Sequence, residues 1–158
     1  ITVAAMPVPL AEAFAFGVLR TGPDDVVVGF DEKPQHPGAM PGRPDFAYAS
    51  MGNYVFDFRA LRDALLRARA QGHVDFGRDV LPAALGSERV VAYDFTTNRI
   101  PGVASAQPYW RDVGTLASLE LARAEVSGPD APIRIEDPVW PIRPLATEPG
   151  ARSARQPA

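Results

Sequence analysis

Ala47-Tyr48-Ala49-Ser50-Met51-Gly52-Asn53-Tyr54-Val55-Phe56, followed at once by residues 58–70, decides how this chain is read. The first ten residues are rich in aromatic and small apolar side chains and read as a central strand. The next stretch has leucines at 61, 65 and 66 with arginines at 59, 62, 67 and 69 mostly opposite, the pattern of an amphipathic helix. Upstream, residues 2–8 read as a buried strand ended by the prolines at 7 and 9, and residues 12–16 as a connector. Residues 17–19 open a brief strand, 21–25 are dense in turn formers, and 26–30 form the returning hairpin strand. Four prolines and two glycines in 34–44 demand an ordered loop or a mobile flap. Downstream, Asp75 offers an N-cap to a helical stretch over 76–85 closed by Gly86, which Pro82 should kink or split. A strand over 90–95, an irregular excursion over 96–107 with turn residues Asn98, Pro101 and Gly102, a short run over 109–114 and a last helix over 115–126 complete the pass. That helix carries Leu116, Leu119 and Ala122 on one face. Strands and helices alternate irregularly and without repeats, so the expected fold is α/β with a mixed sheet.

Composition narrows the function classes. Of the 158 residues, 46% are hydrophobic and 22% charged, enough to support a packed core in one domain or in a piece of a larger one. No apolar run approaches the ~20 residues of a spanning helix. Without cysteine there is no disulfide framework, and two histidines leave little for a zinc site. A net charge of -3 speaks against a nucleic-acid binder, which needs a basic stripe. Of 16 basic residues 15 are arginine, and Lys33 is the only lysine. The chain opens without a charged leader, inside what reads as a strand, and 7 prolines fall in residues 127–158. Both ends are therefore expected to be cut. We divide the chain into a folded unit over 1–126, a proline-rich connector over 127–144, from which Trp140 and Ile142 could dock on a neighbour, and a disordered tail over 145–158.

Three stretches place polar groups at strand ends, where α/β folds build their sites. In Asp31-Glu32-Lys33-Pro34 a carboxylate can accept bonds from sugar hydroxyls, and the neighbouring ammonium is a compact charge for phosphoryl oxygens; the same tetrapeptide also suits an exposed turn. In Ser50-Met51-Gly52-Asn53-Tyr54 a glycine inside a strand suggests close approach of a ligand, or a bulge packed on a helix. In Tyr109-Trp110-Arg111-Asp112-Val113-Gly114-Thr115 the aspartate could ligate a hard cation such as magnesium, pair with Arg111, or help to cap the helix. Neither His36 nor His73 has a serine or cysteine at a spacing that makes a triad. No GxGxxG or GxxxxGK loop is present.

In order and spacing these motifs resemble one family. Ala15-Phe16-Gly17-Val18, Glu32-Lys33-Pro34, residues 49–56, Asp75-Phe76-Gly77-Arg78-Asp79, residues 109–115 and Trp140-Pro141-Ile142 are similar to glucose-1-phosphate adenylyltransferase. The Glu-Lys-Pro element is common to sugar nucleotidyltransferases, whereas the stretches around Ser50 and Trp110 point to the ADP-glucose enzyme of glycogen biosynthesis. The resemblance spans about residues 1–145. It implies a mixed-sheet, Rossmann-like nucleotidyltransferase domain, incomplete on its N-terminal side and without the family's C-terminal β-helix. It implies attack of glucose 1-phosphate on the α-phosphorus of ATP to give ADP-glucose and pyrophosphate, with Mg2+ bridging the phosphates. Carried over by position, Gly17, Glu32, Lys33, Ser50, Tyr54 and Trp110 would bind glucose 1-phosphate, and Asp112 would hold the metal. The partners implied are glucose 1-phosphate and ATP or ADP-glucose, in the cytoplasm, with neither nucleic acid nor membrane, and a homotetramer for the full-length family. The family's ATP-cradling loop lies upstream of the segment present here, so the chain alone is expected to be inactive. The alternatives are another sugar-1-phosphate nucleotidyltransferase, or a non-catalytic remnant that at most binds sugar phosphate. The spacing Gly72-His73-Val74-Asp75 departs from the family, in which histidine directly precedes the aspartate.

Overall fold

Strand β1 (Thr2–Pro9) belongs to a five-stranded mixed sheet, described by a computed structural model over residues 1–99 and 108–133. The other strands are β2 (Gly17–Thr21), β3 (Val27–Glu32), β4 (Phe46–Val55) and β5 (Val91–Asp94), in the order β3-β2-β4-β1-β5. β5 runs parallel to β1 and the remaining pairings are antiparallel, which is the expected α/β mixed sheet. β1 continues through Pro7 and Pro9 rather than ending at them. β5 pairs with β1 only as far as Ala5, so beyond it β1 has an edge without a strand partner among the described residues, where proline is tolerated. β3 is also longer than expected. It carries Asp31 and Glu32 into the ladder, with Glu32 directly opposite Gly17.

Val3, Leu19, Phe30, Leu81 and Val90 form the main apolar cluster on one side of the sheet; Val8, Ala13, Val18, Ala47 and Ala49 form a second. The loop over 34–44 is the ordered alternative. Met40 is buried in the main cluster and donates its N–H to the Phe46 carbonyl at 2.8 Å, while the Arg43 guanidinium lies 4.1 Å from the Phe46 ring centre. Tyr48 bridges from β4 to Asp94 beyond β1, at 3.1 Å, and burial together with that carboxylate pushes its hydroxyl up to about 12.

Helix α1 (Phe58–Ala70) forms over the expected residues, capped by the Asp57 side chain, but of the three leucines expected on its apolar face only Leu61 is half-buried. Ala64 and Ala68 pack with Val80, whereas Leu65 and Leu66 remain 42% and 59% exposed. Two small residues one turn apart let the helix lie close to the next segment, and that turns the leucines outward. The stretch after Asp75 divides ahead of Pro82, as expected. A π-helical turn over Phe76–Val80, capped by Asp75, leads into the short helix α2 (Leu81–Ala84). Helix α3 (Leu116–Ser127) starts one residue late because Thr115 caps it, exchanging hydrogen bonds with Ser118. Leu119 and Ala122 are half-buried as expected, but Leu116 in the first turn is 80% exposed. Pro101 and Gly102 of the excursion, most of the connector with Trp140 and Ile142, and the 145–158 tail lie outside the described residues. No helix among the described residues is long and apolar enough to cross a membrane.

Candidate functional site

Where β2 begins and β3 ends, an open cleft of about 350 Å³ takes in all seven residues singled out from sequence: Gly17, Glu32, Lys33, Ser50, Tyr54, Trp110 and Asp112. Four separate parts of the chain build it. The β2–β3 register sets Gly17 beside Glu32, whose carboxylate makes no hydrogen bond or ion pair among the described residues and so keeps its acceptor sites. Arg20 engages Asp31 at 2.8 Å, and neither Glu32 nor the ammonium of Lys33 has an ion-pair partner among the described residues. Lys33 is exposed, and its backbone is left-handed at φ +46°. Its N–H donates to the Phe16 carbonyl at 3.0 Å, which holds a conformation costing about 1–2 kcal/mol for a residue with a Cβ. Strain of this kind turns the chain sharply out of β3 at the lip of the cleft.

The third element is a bulge in β4. Val3 pairs with Tyr54 and Ala5 with Ser50, so a two-residue step on β1 matches a four-residue step on β4. Gly52 sits in this bulge at φ +73° with open space where a side chain would go; backbone conformation, not a neighbour, requires glycine there. The Ser50 hydroxyl accepts the Gly52 N–H at 3.3 Å, and its own proton is left to donate into the cleft. Tyr54 stacks on Phe76 at 5.8 Å between ring centres, with Phe56 edge-on to both rings, so one wall is a fixed aromatic block.

The last part is the run into α3. Its residues alternate in direction. Tyr109 and Arg111 turn to Glu125 on α3, with the Tyr109 hydroxyl and Arg111 Nε donating to Oε2 at 2.7 and 2.8 Å and a second guanidinium nitrogen donating to Oε1. Trp110 and Asp112 turn the other way into the cleft, Trp110 packing 5.7 Å from Phe16. Arg111 is therefore committed to Glu125 and not to Asp112. Asp112 Oδ1 accepts the Gly114 N–H at 3.0 Å, and helix capping falls to Thr115.

The Arg111 guanidinium, and after it the Tyr109 hydroxyl, hold the Glu125 carboxyl below the usual carboxylate range. A depressed carboxylate contributes fully above its unfolded value of about 4.3 and loses that contribution as pH falls through the lower folded value. Acidification below about pH 4 is expected to release the Trp110 segment. Fluorescence in a Trp140→Phe background reads this directly. With Glu125→Gln the released signal should already be present at neutral pH, and a pH-independent signal in both proteins would show that Glu125 does not hold the segment.

The turn after Asp75 also contributes to the cleft. Asp75, Phe76 and Gly77 all line the cleft; their segment is one of the motifs of the family resemblance, but no site role is expected of them, and Asp75 also fills its expected role as a helix cap by accepting the Arg78 N–H at 2.7 Å. The available signal was an aromatic–glycine pair directly after a cap. His73 lies elsewhere, in a cavity of about 160 Å³ between α1 and α2, with its Nδ1 buried and unpartnered among the described residues. No group of three or more metal-ligating side chains occurs among the described residues. The carboxylates lining the cleft, Glu32, Asp75 and Asp112, are oxygen donors of the kind a hard divalent cation takes together with phosphate and water oxygens.

A family model described as "Nucleotidyl transferase" matches residues 1–127. The chain belongs to the nucleotidyl transferase family. Divalent cations generally serve the chemistry of that family. Among curated relatives, the chain is 46% identical over 151 residues to the glucose-1-phosphate adenylyltransferase of Thermodesulfovibrio yellowstonii, covering 94% of this chain and 37% of the relative. It is 47% identical over 147 residues to that of Thermus caldophilus, covering 90% and 35%. To glucose-1-phosphate adenylyltransferase 1 of Vibrio parahaemolyticus it is 41% identical over 145 residues, again covering 90% and 35%. The chain thus spans only about a third of the length of the curated relatives it matches.

Proposed function

We propose that residues 1–126 form the sugar-phosphate half of a glucose-1-phosphate adenylyltransferase site, serving glycogen biosynthesis in the cytoplasm within a full-length homotetramer. The observation that carries this reading is convergence: residues chosen on four separated segments line one cleft. In it Lys33 takes the phosphate of glucose 1-phosphate, Glu32 and the Ser50 proton engage sugar hydroxyls, and Gly17 admits the ligand close to the backbone. Tyr54 and Trp110 wall the hexose on two sides. Asp112 holds Mg2+, which when bound neutralises phosphate charge. Transfer to the α-phosphorus of ATP needs alignment and charge neutralisation more than covalent help, and these side chains contribute alignment of the attacking phosphate.

The 158 residues contain no glycine-rich phosphate loop, so the chain by itself should bind the sugar phosphate without turning over ATP. Calorimetric titration with glucose 1-phosphate should give a saturable isotherm tighter than that for inorganic phosphate. A pyrophosphate-release assay with ATP, Mg2+ and glucose 1-phosphate should stay at background. Absence of any glucose 1-phosphate binding would leave a remnant without a working site, and full turnover would overturn the division of the site proposed here.

A further inference from the structure

Resting on that reading, we propose that Gly77 is a positioning residue for Glu32, forming with Gly17 a slot that sets where the carboxylate meets the sugar. Glu32 has no hydrogen-bond partner among the described residues, so packing alone decides where its carboxylate rests. Two glycines from unconnected elements close on the same oxygen. A Cβ added to Gly17, its cross-strand neighbour, would stand 2.9 Å from Glu32 Oε2; one added to Gly77, in the π-helical turn, would stand 2.8 Å from it. Real Cβ atoms essentially never approach that closely. Neither glycine has a left-handed φ, so the backbone itself does not call for glycine at either place. At Gly77 the carboxylate calls for it; at Gly17 the Phe30 ring and the carboxylate call for it together, the ring being the third wall of the slot.

The two positions differ in what an added methyl would disturb. At Gly17 it would also meet Phe30 Cζ at 2.6 Å, a core ring that cannot withdraw cheaply. At Gly77 the remaining neighbours, Phe30 Cε1 at 3.4 Å and Asp75 Oδ1 at 3.5 Å, are ordinary contacts, and only the mobile tip of Glu32 must yield. Gly77→Ala is therefore a folded protein with a displaced carboxylate. A carboxylate moved by about an ångström loses its aim at hydroxyls even though its charge and chemistry are unchanged.

The test uses the full chain, with glucose 1-phosphate and inorganic phosphate as probes, in the wild type, Gly77→Ala, Glu32→Gln and the double variant. Gly77→Ala is expected to weaken glucose 1-phosphate binding about 10-fold while inorganic phosphate, which has no sugar to aim at, binds as before. In the Glu32→Gln background it should add little, because the group it acts through has changed. The Glu32 carboxyl carbon resonance, assigned by its loss in Glu32→Gln, should move in Gly77→Ala more than those of the other glutamates, with or without ligand. An unmoved resonance overturns the proposal, as does an equal loss in both backgrounds. If the wild type binds no sugar phosphate, the functional reading falls, and the resonance alone still decides whether Gly77 positions Glu32.

Discussion

Replacement of Lys33 by alanine is expected to weaken glucose 1-phosphate binding about 10- to 100-fold, the range for losing a hydrogen bond to a charged group. No other lysine exists in the chain, and Lys33 makes no ion pair among the described residues, so nothing nearby takes over its role. Arg20, the arginine on the adjacent strand, is bound to Asp31. The ammonium stands in solvent at the cleft lip, and the loss should therefore shrink as salt screens the interaction. Lys33→Arg keeps the charge but replaces a compact donor by a broad planar fork, and recovery should be partial. Titration calorimetry at two ionic strengths measures both effects; unchanged binding by Lys33→Ala would remove the lysine from the site.

The second large effect is on stability. Leu81 is 1% exposed and shares the main apolar cluster with Val3, Phe30 and Val90. Truncation to alanine removes three buried carbons and leaves a void between α2 and the sheet, costing about 2–5 kcal/mol. For a chain of this size that lowers the melting midpoint by about 10 °C, given ~2–4 °C per kcal/mol. Because Phe30 also walls the Glu32 slot, the cavity should loosen ligand binding before the chain unfolds. A melt followed by circular dichroism checks the shift, with Leu81→Met, similar in volume, expected to lose under 1.5 kcal/mol. A midpoint within a degree or two of wild type would mean that the neighbourhood collapses into the void.

Local chemistry explains what was readable in advance. The cap at Asp75 was visible, because a side-chain acceptor beside the first free amides acts within three residues; those at Asp57 and Thr115 emerged only with the structure, Thr115 taking the place expected of Asp112. Three of the cleft stretches stood out as polar runs near strand ends, whereas Gly17 and the choice of individual residues came from the family resemblance. Geometry set by distant partners was not visible. Leu65 and Leu66 were expected inward, yet the contact between Ala64, Ala68 and Val80 rotates α1 away from them. Pro7 and Pro9 looked like strand terminators until the limited reach of β5 showed which edge they occupy. The free Asp112 carboxylate depended on Glu125, 13 residues on, drawing Arg111 away. Gly77 stands in a recognisable motif, but its place beside Glu32 was not visible, since it depends on an oxygen that arrives from β3.

The place of β1 between β4 and β5 has a consequence in time. Its residues are among the first in this segment to leave a ribosome, and its parallel partner β5 follows more than eighty positions later. At about 5–20 residues per second, that gap is several seconds. The β2–β3 hairpin can close locally within it, and β4 can join, but the Thr2–Ala5 edge has no partner until residue 94 has emerged. Completion of this sheet is paced by translation, and until β5 arrives the Thr2–Ala5 edge of the nascent chain is the one open to aberrant pairing.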